Sequence, residues 1–368
     1  MANELLYQVG LTLIEGVGDV NAKTLLAYCG CAEEVFRQKK GHLRKIPGIG
    51  EIHARSIIAG RHVLSRAEKE VRFIEKYHIS PLFFTSENYP ARLKACVDSP
   101  VLIYYKGNAD LNAERIVAVV GTRRPSEYGR AKTQELITGL SDSGILVISG
   151  LAYGIDVLAH KTALDSGLST VGVLAHGLDR IYPQIHDKVA RRMLKQGGLL
   201  TDFMSETNPD AVNFPKRNRI VAGLCDALVV IESKRTGGSL ITATIASSYN
   251  KDVFALPGRA GDPLAEGCNG LIKQNKATLI EHSEDLMYAM QWQKDTAKNP
   301  ASRQIPLQIA LNEEEKVIME LFERKKQVHV DEVCQATQLP VSRVSGILLQ
   351  LEFSNLVKSR PGKLYERI

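Results

Sequence analysis

The sequence predicts an α/β protein in three parts, on three observations. From about Arg115, six short runs rich in Val, Ile and Leu alternate with helical patterns. Near the start, a glycine-punctuated segment occurs twice at an offset of 32 residues. After a stretch without periodicity, the chain ends in three helical patterns and two short strands around Pro361-Gly362.

The repeated segments are "IEGVGDVNAKTLLA" from Ile14 and "IPGIGEIHARSIIA" from Ile46. Each reads apolar-x-Gly-apolar-Gly and then an amphipathic helix, the helix-hairpin-helix pattern, which assigns residues 1–75 to a helix-hairpin-helix (SAM-like) domain. Gly16, Gly18, Gly48 and Gly50 permit tight turns whose N–H groups open a helix. Such a turn holds a DNA phosphate or makes a helical protein contact. The local balance of 11 Lys and Arg against 9 Asp and Glu does not choose between them.

The apolar runs are "RIVAVVG", "ILVISG", "STVGVLAHG", "GLLTDF", "ALVVIE" and "DVFALPG". Strands that are apolar throughout and separated by helices imply a parallel sheet covered on both faces, so residues 76–290 read as a Rossmann-like core. "QWQKDTAKNPASRQIPLQ" contains Pro300 and Pro306, and residues 291–310 read as a linker. Residues 311–368 read as a winged-helix domain. Its expected recognition helix, Val341 to Phe353, carries one cation, Arg343, and the domain has 9 Lys and Arg against 9 Asp and Glu. Groove readers neutralise phosphates with cations, so protein contact is the expected role of this domain.

The formal net charge is +6, and the middle of the chain carries 27 Lys and Arg against 23 Asp and Glu, so a polyanion is expected to meet the core first. The six cysteines form no C-x-x-C pair, and reduced thiols with no metal site are expected. No apolar run approaches the ~18 residues of a membrane span. "MANELLYQVG" lacks the basic start of a signal peptide. A cytoplasmic protein without membrane contact is the expectation.

Ligands of such sheets sit beyond the carboxyl ends of the strands. "GTRRPSEYG" puts Gly121, Thr122, Arg123 and Arg124 there, before a helix capped by Ser126. "SGLAYGID" puts Ser149 and Gly150 at the next strand end, with Asp156 as a cap, and "TGGSLITA" puts Gly237, Gly238 and Ser239 at another helix start. "NFPKRNRIVAGL" reads as a helix beginning at Pro215. Lys216, Arg217 and Arg219 crowd its first turns, where cations oppose the helix dipole. One such residue is ordinarily explained by surface ion pairing. Four cations at neighbouring strand ends, with Arg123, favour an anion that accepts from both the side chains and the helix starts. Arg217 shares a face with Ile220, Val221 and Leu224 and should turn inward, with Lys216 and Arg219 pointing outward.

The chain has no G-x-G-x-x-G and no G-x-x-x-x-G-K-[ST], so neither a dinucleotide fingerprint nor an ATP-binding loop is present. His160, His176 and His186 are scattered and read as packed or surface residues. No cofactor and no catalytic set is expected. A groove for single-stranded nucleic acid fits the cations, with Phe214 available for stacking.

The motifs "YPARLKACVDSPVLIYYKGN", "VVGTRRPSEYG", "SGLAYGIDVLAHKTAL", "GVLAHGLDRIYP", "FPKRNRIVAGL", "GSLITATIA" and "VFALPG" with "EGCNGLI" resemble, in order, those of the DNA-processing protein A family (DprA, also called Smf). The resemblance implies a core that binds single-stranded DNA in a positive pocket, dimerises, and hands the strand to the RecA recombinase in natural transformation. By motif position that pocket would use Gly121, Arg123, Ser149, Gly150, Lys216, Arg217, Asn218 and Arg219. Two departures stand out: Thr122 where the family usually has Ser, and Gln184-Ile185-His186 where an Asn often follows "YP".

The alternative is an enzyme resembling the phosphoribohydrolases of the Lonely Guy family, which carry G-G-x-G-T-x-x-E. Here Leu240, Ile241 and Thr244 stand where that motif has Gly, Thr and its Glu. The expectation is therefore a binding protein and not an enzyme.

Overall fold

The structure is a computed structural model that describes residues 2–293, 312–325, 327–354, 356–360 and 363–367. The chain divides into two compact units, Met1–Lys294 and Asp295–Ile368. Beyond residue 293, the linker expected over 291–310 lies outside the described residues.

The first unit is built on a nine-stranded sheet. In chain order the strands are β1 (Ser80–Phe83), β2 (Leu102–Gly107), β3 (Ile116–Gly121), β4 (Leu146–Ser149), β5 (Thr170–Val173), β6 (Gly197–Thr201), β7 (Ala227–Ile231), β8 (Asp252–Ala255) and β9 (Thr278–Leu279). Their spatial order is β1-β2-β6-β5-β4-β3-β7-β8-β9. Strands β3 to β8 are the six apolar runs. From β3 the chain steps outward through β4, β5 and β6, then returns to place β7 on the other side of β3. That reversal opens a crevice at the carboxyl ends of β3 and β7.

Successive residues of each strand enter opposite cores, which is why the runs lack polar alternation. Ile116, Ala118, Val120, Leu228 and Val230 pack with Ile220, Leu224 and Ala243 on one face. Val117, Val119, Val229 and Ile231 pack with Leu136, Ile137 and Ala159 on the other. The helices Asn213–Leu224 and Gly238–Ser248 thus cover one side, and Glu127–Gly139 and Ile155–Asp165 the other.

The six expected strands are mutually parallel, and two strands at one edge are added to them that the sequence pattern does not announce. β2 runs antiparallel to both β1 and β6. Neither needs a crossover helix, so the helix-strand alternation that identifies the other strands gives no signal for them.

The N-terminal segment packs on this edge. Leu25, Ile57 and Ile74 share one core with Phe83, Val101, Leu102 and Tyr104. Its two glycine turns open the helices Asp19–Cys29 and Glu51–Ala59, and Gly16 and Gly48 both take φ +79°, a region that favours glycine. Each helix starts with its own carboxylate, Asp19 or Glu51. Glu51 pairs with Lys40, Arg44 and Arg55, so both helix starts already hold an anion.

The second unit has helices Glu313–Arg324, Val330–Thr337 and Val341–Phe353. Its sheet has three strands instead of the expected two: β10 (Gln327–His329), β11 (Val357–Arg360) and β12 (Leu364–Arg367), in the order β10-β12-β11. Three residues between two helices are too few to show a period. Arg343 donates to Glu314 at 2.8 Å, so the one cation of the expected recognition helix is paired.

Candidate functional site

Three loops and one helix start meet at the switch point. The loop after β3 is tied to the end of β7, with Thr122 N donating to Glu232 O at 2.9 Å. Ser126 caps the following helix, its Oγ accepting from Gly129 N at 3.1 Å. Glu232 Oε2 accepts from Ser126 N at 2.9 Å, and Oε1 accepts from the Ser126 hydroxyl. Between these anchors Arg123 is exposed, with its guanidinium 5.4 Å from the centroid of the Phe214 ring.

Phe214 lies at the start of helix Asn213–Leu224. This helix begins two residues before Pro215, correcting the expected start; a proline in the first turn still loses no helical hydrogen bond. Arg217, on the inward face, is only 4% exposed. Its Nη1 donates to Val173 O at 2.7 Å, and its Nε has no partner among the described residues. The side chain passes directly over Gly150, where a Cβ would fall 1.8 Å from Nη1. Burial lowers the pKa of Arg217, opposed by the nearby Asp156. Burial raises the Asp156 carboxyl, opposed by Arg217 and by the N–H groups of Ala152 and Gly150. Asp156 is therefore a counter-charge beneath Arg217, while Gly154 occupies the expected cap position of helix Ile155–Asp165.

Across the crevice, Gly237 caps helix Gly238–Ser248, and Ser239 Oγ donates to Ser233 Oγ at 2.8 Å. The crevice is open to solvent on one side, with a volume of about 470 Å³. Gly121, Thr122, Arg123 and Phe214 line one part, and Arg217, Asn218, Gly238 and Ser239 another.

Four expected site residues lie elsewhere. Ser149 is fully buried and donates to Val119 O at 2.6 Å, so it fastens β4 to β3 instead of facing the crevice. Gly150 forms the floor beneath Arg217 and lines a narrower adjoining cleft. Lys216 is exposed and outside the crevice lining. Arg219 does not point outward. Its Nη2 meets Asp19 Oδ2 at 2.9 Å and Asp202 Oδ2 at 3.0 Å, and its Nη1 donates to Asp98 O. Burial opposes its charge, yet Asp202 and Asp19 hold its pKa above the ordinary value.

The structure also adds residues. Lys234 and Thr236, in the loop after β7, line the crevice. The signal was the "SKRTGG" stretch, where cations immediately precede the glycine pair. His160, His176 and His186 are all buried and bonded within the fold.

The family model for DNA recombination-mediator protein A matches residues 80–291, and that for the DprA winged helix domain matches residues 301–363. The chain belongs to this family. Protein Smf of Synechocystis sp. is 30% identical over 401 residues, spanning 100% of both chains. DNA processing protein DprA of Streptococcus pneumoniae is 34% identical over 273 residues, spanning 69% of this chain and 96% of the relative. The X-ray structure of DprA from Streptococcus pneumoniae superposes with a TM-score of 0.68 at 32% identity, covering 78% of this chain and 98% of that one. DprA from Helicobacter pylori, solved to explain its single-stranded DNA binding mode, superposes with a TM-score of 0.53 at 29% identity, covering 58% and 96%. The resemblance read from the motifs is thereby confirmed, together with the Rossmann-like core and the winged-helix domain.

Proposed function

We propose that the crevice between β3 and β7 holds the backbone of single-stranded DNA, that the protein catalyses no reaction on it, and that it passes the strand to RecA as a homodimer in natural transformation. The observation that carries this reading is the convergence of Arg123, Arg217 and Lys234 with the helix start at Gly238, beside the Phe214 ring. Cations aimed at one groove next to an aromatic face suit a sugar-phosphate chain with unpaired bases. The related DNA processing protein A of Helicobacter pylori, whose structure describes a single-stranded DNA binding mode, supports the choice of ligand. RecA transfer and dimerisation rest on family membership.

One observation favours an enzyme resembling nucleotide phosphoribohydrolases: a buried carboxyl with a raised pKa, Asp156, lines the crevice. Against it, Thr244 stands where that motif has its glutamate, and its Oγ1 donates back to Leu240 O at 2.9 Å. The deciding experiment titrates the protein with an oligothymidylate length series and assays nucleoside monophosphate hydrolysis in parallel. Affinity that grows with length and no turnover supports the strand binder. Turnover abolished by Asp156→Asn establishes the enzyme.

A further inference from the structure

Phosphates are present in single strands and duplexes alike, so Arg123, Arg217 and Lys234 do not by themselves explain a preference for one form. Unpaired bases distinguish them. The structure presents two further aromatic rings beside the crevice, on the loops that follow β4 and β5. Tyr153 is 48% exposed and Tyr182 46% exposed. Both line a narrow cleft that also contains Arg123 and Phe214, two residues that line the main crevice as well.

We propose that Tyr182 and Tyr153 form a stacking platform for unpaired bases, and that this platform makes the site select single strands over duplex; the inference rests on the crevice being a strand-binding site. The Tyr182 and Phe214 ring centroids are 6.4 Å apart at 57°. Tyr153 stands edge-on to His186 at 5.2 Å. The cleft itself, about 50 Å³, is too small to take a base, so bases would lie against the exposed ring faces.

Buried histidines brace both residues, Tyr182 through its backbone and Tyr153 through its ring. Tyr182 N donates to His176 Nε2 at 3.2 Å, while the His176 carbonyl accepts from Thr201 Oγ1 at 2.9 Å. His186, the ring partner of Tyr153, is fixed by a 2.9 Å bond between its Nδ1 and Leu151 O. Rings placed in advance lose little freedom when a base stacks. Among the described residues neither tyrosine hydroxyl has a hydrogen-bond partner, so each side chain offers an exposed ring face together with a free hydroxyl, and a Phe substitution separates the two.

The test titrates the full chain with an oligothymidylate, an abasic oligonucleotide of equal length, and a duplex, each across the same salt series. Wild type should bind the oligothymidylate tighter than the abasic strand by a factor of about ten or more. The Tyr153→Ala, Tyr182→Ala double variant should lose most of that preference, the Phe214 ring alone remaining, with duplex affinity and salt slope unchanged. A Tyr182→Phe variant should behave as wild type. Equal wild-type affinity for thymidylate and abasic strands overturns the platform while leaving strand binding intact. A double variant that weakens on all three ligands equally also overturns it, since the rings would then only shape the cleft. A wild type that binds none of the three overturns the site reading and the platform with it.

Discussion

The Arg217 guanidinium occupies the space that a side chain at Gly150 would need. A Cβ there would lie 1.8 Å from Nη1 and 2.4 Å from the guanidinium carbon. Two motifs far apart in sequence, "SGLAYG" and "FPKRNR", thus form one unit: the first supplies an empty floor, the second a buried cation laid across it. Gly150→Ala should therefore act on the site through Arg217. The clash is with the end of a long side chain, so the backbone need not move. Displacing Arg217 breaks its bond to Val173 O, at a cost of about 1–3 kcal/mol. Strand affinity should fall as far as in Arg217→Ala, and chemical unfolding should show the moderate loss. A Gly150→Ala protein that binds like wild type would show that Arg217 is structural.

The crevice cations should set the salt dependence. Three of them, Arg123, Arg217 and Lys234, line it. With about 0.7 per neutralised phosphate on a single strand, the log-log salt slope should be about −2. Lys234→Ala should flatten it by about 0.7 without changing stability. Lys216→Ala, outside the lining, should leave the slope unchanged. Anisotropy titrations across a salt series measure both.

What the sequence reveals and what it hides divides along physical lines. β3 to β8 are legible because strands buried on both faces are apolar at nearly every position, with polar residues only at their ends. The loop residues are legible because glycines and cations at strand ends conflict with their local setting. Arg219 was not. Nothing near it in sequence shows that its partners are Asp202 and Asp19, the latter 200 positions away. Ser149 also reads as a loop donor until its hydroxyl is seen to point at β3. Identifying a cation is a local matter, but deciding whether it is free requires the tertiary structure.

Arg219→Ala should be a stability mutant. Asp202 is held against Arg219, whose side chain is 18% exposed, so removing the guanidinium leaves a buried carboxylate uncompensated. Breaking such a pair costs roughly 3–5 kcal/mol. Lys should not rescue it, because one ammonium cannot bridge Asp19, Asp202 and the Asp98 carbonyl as the fork does. Urea unfolding should show the loss, and strand affinity measured on folded protein should change little. Unchanged stability with lost binding would restore Arg219 to the ligand site.

His160 should make the core acid-sensitive. Thr170 Oγ1 donates to Val147 O, so His160 Nδ1 donates to Thr170 Oγ1 at 2.7 Å, and Nε2 is buried with no partner among the described residues. Burial first, then Arg217 and His186, push its pKa down from 6.5 to about 3. The unfolded chain then binds one more proton between those values. Stability is fully present above about pH 6.5 and falls by about 1.4 kcal/mol per pH unit as acid is added, until about pH 3. His160→Gln should flatten the fall in urea midpoint between neutral and mildly acidic pH. An unaltered pH profile would mean that other groups control it.

A fragment that begins at residue 76 should not fold, although the sequence pattern suggests a boundary there. Ile57 and Ile74 belong to the same core as Phe83, Leu102 and Tyr104, so the cut would expose the face of β1 and β2. It would also remove polar ties. Glu70, 1% exposed, accepts from Ser205 N at 2.9 Å and from its hydroxyl at 2.5 Å. Arg66 Nη2 donates to Ser205 O at 2.6 Å, and Asp19 holds Arg219 of the site helix. The N-terminal segment therefore shapes the loop after β6 and braces "FPKRNR" without lining the crevice. Residues 2–293 should fold and bind strands with the affinity of the full chain, since the second unit is compact by itself. Residues 76–290 should be aggregated or molten by size-exclusion chromatography and circular dichroism. If that shorter fragment is monodisperse, unfolds cooperatively and binds normally, the contacts of Asp19, Glu70 and Ile74 contribute far less than their burial implies.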